Sequence, residues 1–108
     1  MDVPEIDIAE AAARIAAGVP VIDVREPHEY QEGHVPGAAL IPLGSVPERA
    51  HEVPTGGEVL IVCRSGARSR NAAGHLRTLG IEAVNVGGGT LAWIEAGHRV
   101  VAGDEPGA

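Results

Sequence analysis

Apolar positions along this chain change their period several times, and each change marks an element. Asp7 followed by Glu10 reads as a helix N-cap with its capping-box partner. Behind it Ile8, Ala11, Ala12 and Ile15 recur at helical spacing, and Gly18 supplies the stop. Residues 19–24 form a short β-branched run and predict a buried strand with Asp23 near its carboxyl end. Residues 27–32 open on a proline and predict one and a half helical turns. Residues 33–38 are loop chemistry, and 39–43 make a weaker strand that Pro42 interrupts. A short helix is expected over 46–52, begun by Ser45 with Pro47 in its first turn.

Residues 58–63 carry the strongest strand signal, because Val59, Leu60, Ile61 and Val62 are consecutive and apolar. Such unbroken runs belong to parallel sheets covered on both faces. A second capped helix is predicted over 69–79, with Ala72, Ala73, Leu76 and Leu79 on one side and Gly80 after it. Residues 81–86 read as a further strand, followed by Gly87, Gly88 and Gly89 and a helix near 90–96. Val100 and Val101 are candidates for a last strand, and 103–108 reads as a frayed tail. Strands and helices alternate over short connections, which predicts an α/β fold with a mainly parallel sheet. The expected organisation is a single domain over 1–108, with its core at about 6–101 and no internal repeat.

Composition narrows the function. The 108 residues carry 15 acids against 8 bases, every base an arginine, for a net charge of −7. That balance argues against a nucleic-acid binder, which needs a basic face to neutralise phosphates. The single cysteine excludes an internal disulfide and any zinc site built from several thiolates. The first thirteen residues lack the basic start of a secretory signal, and no apolar run approaches a membrane span. The expectation is a cytoplasmic protein with neither nucleic-acid nor membrane partners.

Cys63 stands where the most apolar strand enters the segment Arg64, Ser65, Gly66, Ala67, Arg68 and Ser69. In open α/β sheets ligands bind beyond the carboxyl ends of strands. A turn there can aim successive N–H groups into its centre, and the next helix adds its positive end. Gly66 permits a backbone conformation that a side chain would forbid. These donors and the guanidinium groups of Arg64 and Arg68 lower a thiol's pKa, and the thiolate is the nucleophilic form. No acid lies between Glu58 and Glu82, whereas Arg64, Arg68, Arg70 and Arg77 all do. A positive potential focused on a nucleophile predicts an anionic substrate, although Arg70 and Arg77 read better as a solvated helix face.

The ordered set Val21-Ile22-Asp23-Val24-Arg25-Glu26, Glu29-Tyr30, Gly33-His34-Val35-Pro36-Gly37-Ala38, the cysteine loop, and Val86-Gly87-Gly88-Gly89 with Trp93 resembles the rhodanese family of sulfurtransferases in single-domain form. The resemblance implies a rhodanese-like α/β fold, a five-stranded mainly parallel sheet flanked by helices on both faces. It implies that Cys63 is catalytic and cycles between thiol and persulfide with no separate cofactor and no metal. A small anionic donor such as thiosulfate would load the sulfur, and cyanide, a thiol or a partner protein would remove it. By the same resemblance the loop N–H groups from Arg64 through Ser69 stabilise the persulfide. Arg64 and Arg68 would hold the donor's oxygens, and Asp23 and Arg25 would brace the site. A persulfide carrier that docks a partner, with little small-molecule turnover, is the alternative, and a catalytically silent regulatory domain is weaker still.

Related phosphatases of the same fold resemble a loop one residue longer. Here only four residues separate Cys63 from Arg68, so phosphoryl transfer and arsenate reduction are disfavoured. His28, His34, His51, His75 and His98 show no metal-ligand spacing. His75 is expected to sit away from the thiol, His34 to fix loop geometry and Trp93 to anchor the core. Gly87–Gly89 lacks the pattern of a phosphate-binding loop and is expected to pack against the cysteine loop.

Overall fold

A computed structural model describes residues 2–107. Five strands form one sheet: β1 (Glu5–Ile6), β2 (Val21–Asp23), β3 (Ala39–Leu40), β4 (Glu58–Val62) and β5 (Glu82–Val86). Their order is β1-β5-β4-β2-β3, and every pairing is parallel. The helices are α1 (Ile8–Ala16), α2 (Pro27–Glu32), α3 (Val46–Arg49), α4 (Ala67–Thr78) and α5 (Gly89–Glu95). Side chains alternate across a strand, so β4 feeds two cores at once. Val59, Ile61 and Cys63 join Ala72, Ala73 and Leu76 of α4, while Leu60 and Val62 join Ile8 and Ala11 of α1 and Trp93 of α5. Both faces are therefore covered, as the apolar run of β4 requires.

Several elements depart from the pattern of the sequence. Asp7 does cap α1 through the Glu10 N–H at 2.9 Å, but the Glu10 carboxylate engages Arg14 Nε instead. Arg14 also reaches Glu58 and so ties α1 to β4. The helix expected over 46–52 is one α-turn flanked by 3-10 turns at Leu43–Ser45 and Ala50–Glu52. Strand β1 had no sequence signal, being only two residues long. It exists because β5 offers an open edge: Asn85 N–H donates to the Pro4 carbonyl and Gly87 N–H to that of Ile6.

Helix α4 starts at Ala67, two residues before the predicted cap, and Gly66 occupies its N-cap at φ +116° with no side-chain bond. Leu79 lies past its end and is 54 % exposed, so it does not share the buried face of Ala72 and Leu76. Val101 makes a single antiparallel bridge with His34 rather than a sixth strand. The segment read as frayed is tied down: Gly103 N–H donates to the Gln31 carbonyl, and Gly37 N–H to that of Pro106. The His34 ring stacks on Tyr30 and meets the Tyr30 carbonyl through Nδ1 and the Glu105 carbonyl through Nε2. Ala108, the end of that predicted tail, lies outside the described residues, as does Met1.

The last architectural contact sets up the site. Gly89 lies at φ +59°, and a Cβ there would stand 2.5 Å from the Arg64 carbonyl oxygen and 2.6 Å from that of Cys63. The start of α5 thus packs directly on the cysteine loop. Gly89→Ala is expected to lower stability by about 3 kcal/mol, combining left-handed strain with overpacking. Gly44→Ala, where the added Cβ meets nothing within 4 Å, should change it by less than about 0.5 kcal/mol. Urea unfolding midpoints of the two variants check the difference.

Candidate active site

Cys63 leaves β4 on the α4 face and is 1 % exposed. The chain must then turn sharply, and α5 holds the carbonyls of that turn outward. Thr90 donates to the Cys63 carbonyl through N–H at 2.9 Å and Oγ1 at 3.0 Å, and Leu91 N–H donates to the Arg64 carbonyl at 3.0 Å. A trans peptide is planar, so a carbonyl fixed on one side sends the next N–H to the other. Gly66 N–H reaches Cys63 Sγ at 3.1 Å, and Ser69 Oγ, in the first turn of α4, lies 3.3 Å from it. Burial pushes the thiol up. The Ser69 hydroxyl, then the N–H groups of Ser69, Gly66 and Ser65, outweigh burial and hold it below the ordinary thiol value.

The charged residues divide by partner. Asp23 and Arg25 form a buried ion pair, with Arg25 Nε 3.1 Å from both carboxylate oxygens and Nη2 2.8 Å from Oδ2. Arg25 Nη2 also donates to the Gly33 carbonyl at 2.9 Å, so the pair joins the end of β2 to the loop after α2. Arg68 is committed as well: its Nη1 and Nη2 meet the two carboxylate oxygens of Glu29 at 2.7 and 2.9 Å. Hydrogen bonding to Arg68 holds the Glu29 carboxyl down to about 2. Glu29 Oε1 also accepts the Glu26 N–H at the start of α2, so one side chain caps a helix and anchors an arginine. The stretch without acids is thus supplied with one from elsewhere in the fold. Arg77 reaches the Ala83 carbonyl at 2.7 Å, and Arg70 lies 3.6 Å from Glu5.

Arg64 differs. Among the described residues its guanidinium makes no ion pair or hydrogen bond, and it lines a cavity of about 330 Å3 beside the cysteine loop. Arg25, Glu29, Gly33 and Thr90 share that wall. Leu91, Ile94 and Val100 form an apolar side, where Ile94 is half exposed. Ala67 is at the first position of α4, exposed and without a bond to Sγ.

Sequence reasoning passed over two polar residues here. Asn85 accepts the Ser69 hydroxyl at 2.5 Å and donates to Glu5 and to the Gly66 carbonyl. Thr90 holds the Cys63 carbonyl. The signal for Asn85 was present, since a polar residue sat among Ala83, Val84 and Val86 in a run otherwise fit for burial. Thr90 carried no such signal. His75 lies on α4 with no bond to Sγ, and among the described residues no group of three His, Cys, Asp or Glu side chains is placed to hold a metal ion. No helix of the described residues is long and apolar enough to cross a membrane.

The chain is similar in sequence and fold to known proteins. The chain is 39 % identical over 103 residues to a sulfurtransferase of Allochromatium vinosum, covering 93 % of this chain and 96 % of that protein. It is 32 % identical to thiosulfate sulfurtransferase 18 of Arabidopsis thaliana, over 87 % of this chain and 80 % of the plant protein. A rhodanese-related protein of Thermoplasma volcanium superposes with a TM-score of 0.85 at 34 % identity, over 91 % of this chain and 97 % of that one. The signature of the rhodanese-like domain spans residues 7–96, and with the parallel sheet and the cysteine loop at its carboxyl edge it places the chain in the rhodanese-like family.

Proposed function

We propose that this protein is a sulfurtransferase that carries a sulfane sulfur on Cys63 as a persulfide. The observation that carries the reading is the convergence of Gly66 N–H and Ser69 Oγ on a buried sulfur at 3.1 and 3.3 Å. The Gly66 N–H, fixed in that direction, favours an anion without reorganisation when the charge arrives, and the Ser69 hydroxyl can turn its hydrogen to it. Names of relatives at 39 % and 32 % identity support the same chemistry.

The Cys63 thiolate attacks the outer sulfur of thiosulfate. A sulfur–sulfur bond forms, the donor's own sulfur–sulfur bond breaks, and sulfite leaves with the electron pair. The persulfide keeps one negative charge, now spread towards its outer sulfur, where the loop N–H groups act on it. Cyanide or a thiolate then attacks that outer sulfur and leaves with it, returning the Cys63 thiolate. Arg64, free of partners and on the cavity wall, holds the donor's oxygens. Arg68 serves indirectly: with both terminal nitrogens on Glu29, it neutralises a carboxylate that would otherwise repel an anion from the cavity.

A protein acceptor is the second reading, and the apolar side of the cavity favours it. Leu91 and Ile94 are exposed on α5 at the rim of the cavity, where a partner's chain would cover them.

Two experiments test this. Intact-mass measurement after thiosulfate treatment should find one added sulfur atom on the wild type, none on Cys63→Ser, and removal of the sulfur by cyanide. No adduct from thiosulfate but one from a protein persulfide would move the assignment to a carrier. In steady state, Arg64→Ala should raise the KM for thiosulfate about tenfold, the scale of one charge-assisted hydrogen bond, and weaken its salt dependence. Arg68→Ala should also raise it, and adding Glu29→Gln should repair most of that loss while leaving the Arg64→Ala defect in place. Equal repair of both defects would remove Arg64 from the donor site.

A further inference from the structure

One buried polar group beside the sulfur has no part in the chemistry above, the Asn85 carboxamide. Asn85 is in register with Ile61 of β4 and with Glu5 of β1. One end of its amide lies 2.7 Å from Glu5 Oε1 and 3.2 Å from the Gly66 carbonyl oxygen. A carboxylate and a carbonyl only accept, so that end is the NH2 group and the amide cannot be turned over. The other end is therefore Oδ1, itself only an acceptor, and it stands 2.5 Å from Ser69 Oγ.

Ser69 has one hydroxyl hydrogen and three acceptors within reach: Asn85 Oδ1 at 2.5 Å, the Gly66 carbonyl at 3.2 Å and Cys63 Sγ at 3.3 Å. The Gly66 carbonyl already receives the Arg70 N–H at 3.1 Å and the Asn85 NH2. The contest lies between Oδ1 and the sulfur. We propose that Asn85 is a positioning residue for the sulfur chemistry: by competing for the single Ser69 hydrogen, it sets how much of that hydrogen bond the Cys63 sulfur receives.

While the sulfur is protonated, Ser69 gives its hydrogen to Asn85, and the Ser69 oxygen is free to accept the S–H. When the thiol proton leaves to solvent, the hydroxyl hydrogen turns to the anionic sulfur. Asn85 Oδ1 is then left buried without its donor, which opposes ionisation. The other charged groups around the loop are Arg64 from the loop, Arg68 and Arg70 of α4, Asp23 and Arg25 from the end of β2, Glu29 of α2, and Glu5 of β1. None of them competes for the Ser69 hydrogen.

The proposal takes its purpose from the sulfur-transfer reading, but its test needs no donor and no transfer. Cys63 is the only cysteine, so the pH profile of iodoacetamide alkylation on the full chain reports this thiol alone. Ser69→Ala should move the midpoint up by about one pH unit, the scale of one hydrogen bond to a charged group. Asn85→Ala should move it down, because the hydroxyl is released to the sulfur. The double variant should titrate with Ser69→Ala, since Asn85 acts only through that hydroxyl. An upward or absent shift in Asn85→Ala, or a downward shift that persists without the Ser69 hydroxyl, overturns the proposal. Asn85→Leu, close in shape and without an acceptor, carries the same comparison should the alanine variant fail to fold. A protein that takes sulfur from neither thiosulfate nor a protein persulfide yet shows these shifts would refute the function and keep the positioning role.

Discussion

A sulfur that bears negative charge inside a protein must find donors to replace the water it has lost. At Cys63 those donors are the Ser69 hydroxyl and backbone N–H groups, and the direction of one of them, Ser65 N–H, follows from contacts on the far side of the loop. Thr90 and Leu91 take the carbonyls of Cys63 and Arg64, and the planar peptide after Arg64 turns the Ser65 N–H inward. The constraint runs outward from there. Helix α5 can come this close only because residue 89 lacks a Cβ. The loop can enter α4 at once only because Gly66 accepts a positive φ. The parallel sheet in turn aligns the carboxyl ends of β2, β4 and β5 along one edge, so that Asp23, Cys63 and Asn85 arrive within one neighbourhood.

Charge follows a different logic. The two arginines that hold local geometry are matched to carboxylates, Arg25 to Asp23 two residues before it and Arg68 to Glu29 of a distant segment. Matching of this kind leaves little net field, and a buried pair is costly to break because the remaining charge has no water. Arg64 stays outside this pairing and faces the cavity. In an acidic protein, the positive potential at the cavity therefore rests on one guanidinium and on oriented dipoles more than on an excess of base.

Much of this was legible in the chain, for reasons that differ by residue. The β4 run and the cysteine at its end are strong local signals: four apolar residues need two covered faces, and a glycine two residues beyond the loop's first arginine marks a forced turn. The pairing of Arg68 with Glu29 was not legible, because 39 residues separate them and the arginine looked free among neighbours that lacked acid. The start of α4 was misplaced for a related reason. Ser69 resembles an N-cap, yet its hydroxyl is drawn to Sγ and Asn85, and the helix begins ahead of it at Ala67. Fraying of the tail was expected from its glycines and acids, and backbone carbonyls that meet the His34 ring hold it instead.

The pairing of β1 with β5 has a consequence in time. Glu5 lies 80 residues from Asn85, and this two-residue strand adds little local structure of its own. Contacts so distant in sequence form late, after the loop closure that brings them together. Glu5 and Ile6 are thus among the last residues to settle, and until they do the Asn85 amide has no carboxylate to hold it. The network of Glu5, Asn85 and Ser69 beside the sulfur is therefore complete only when β1 closes against β5.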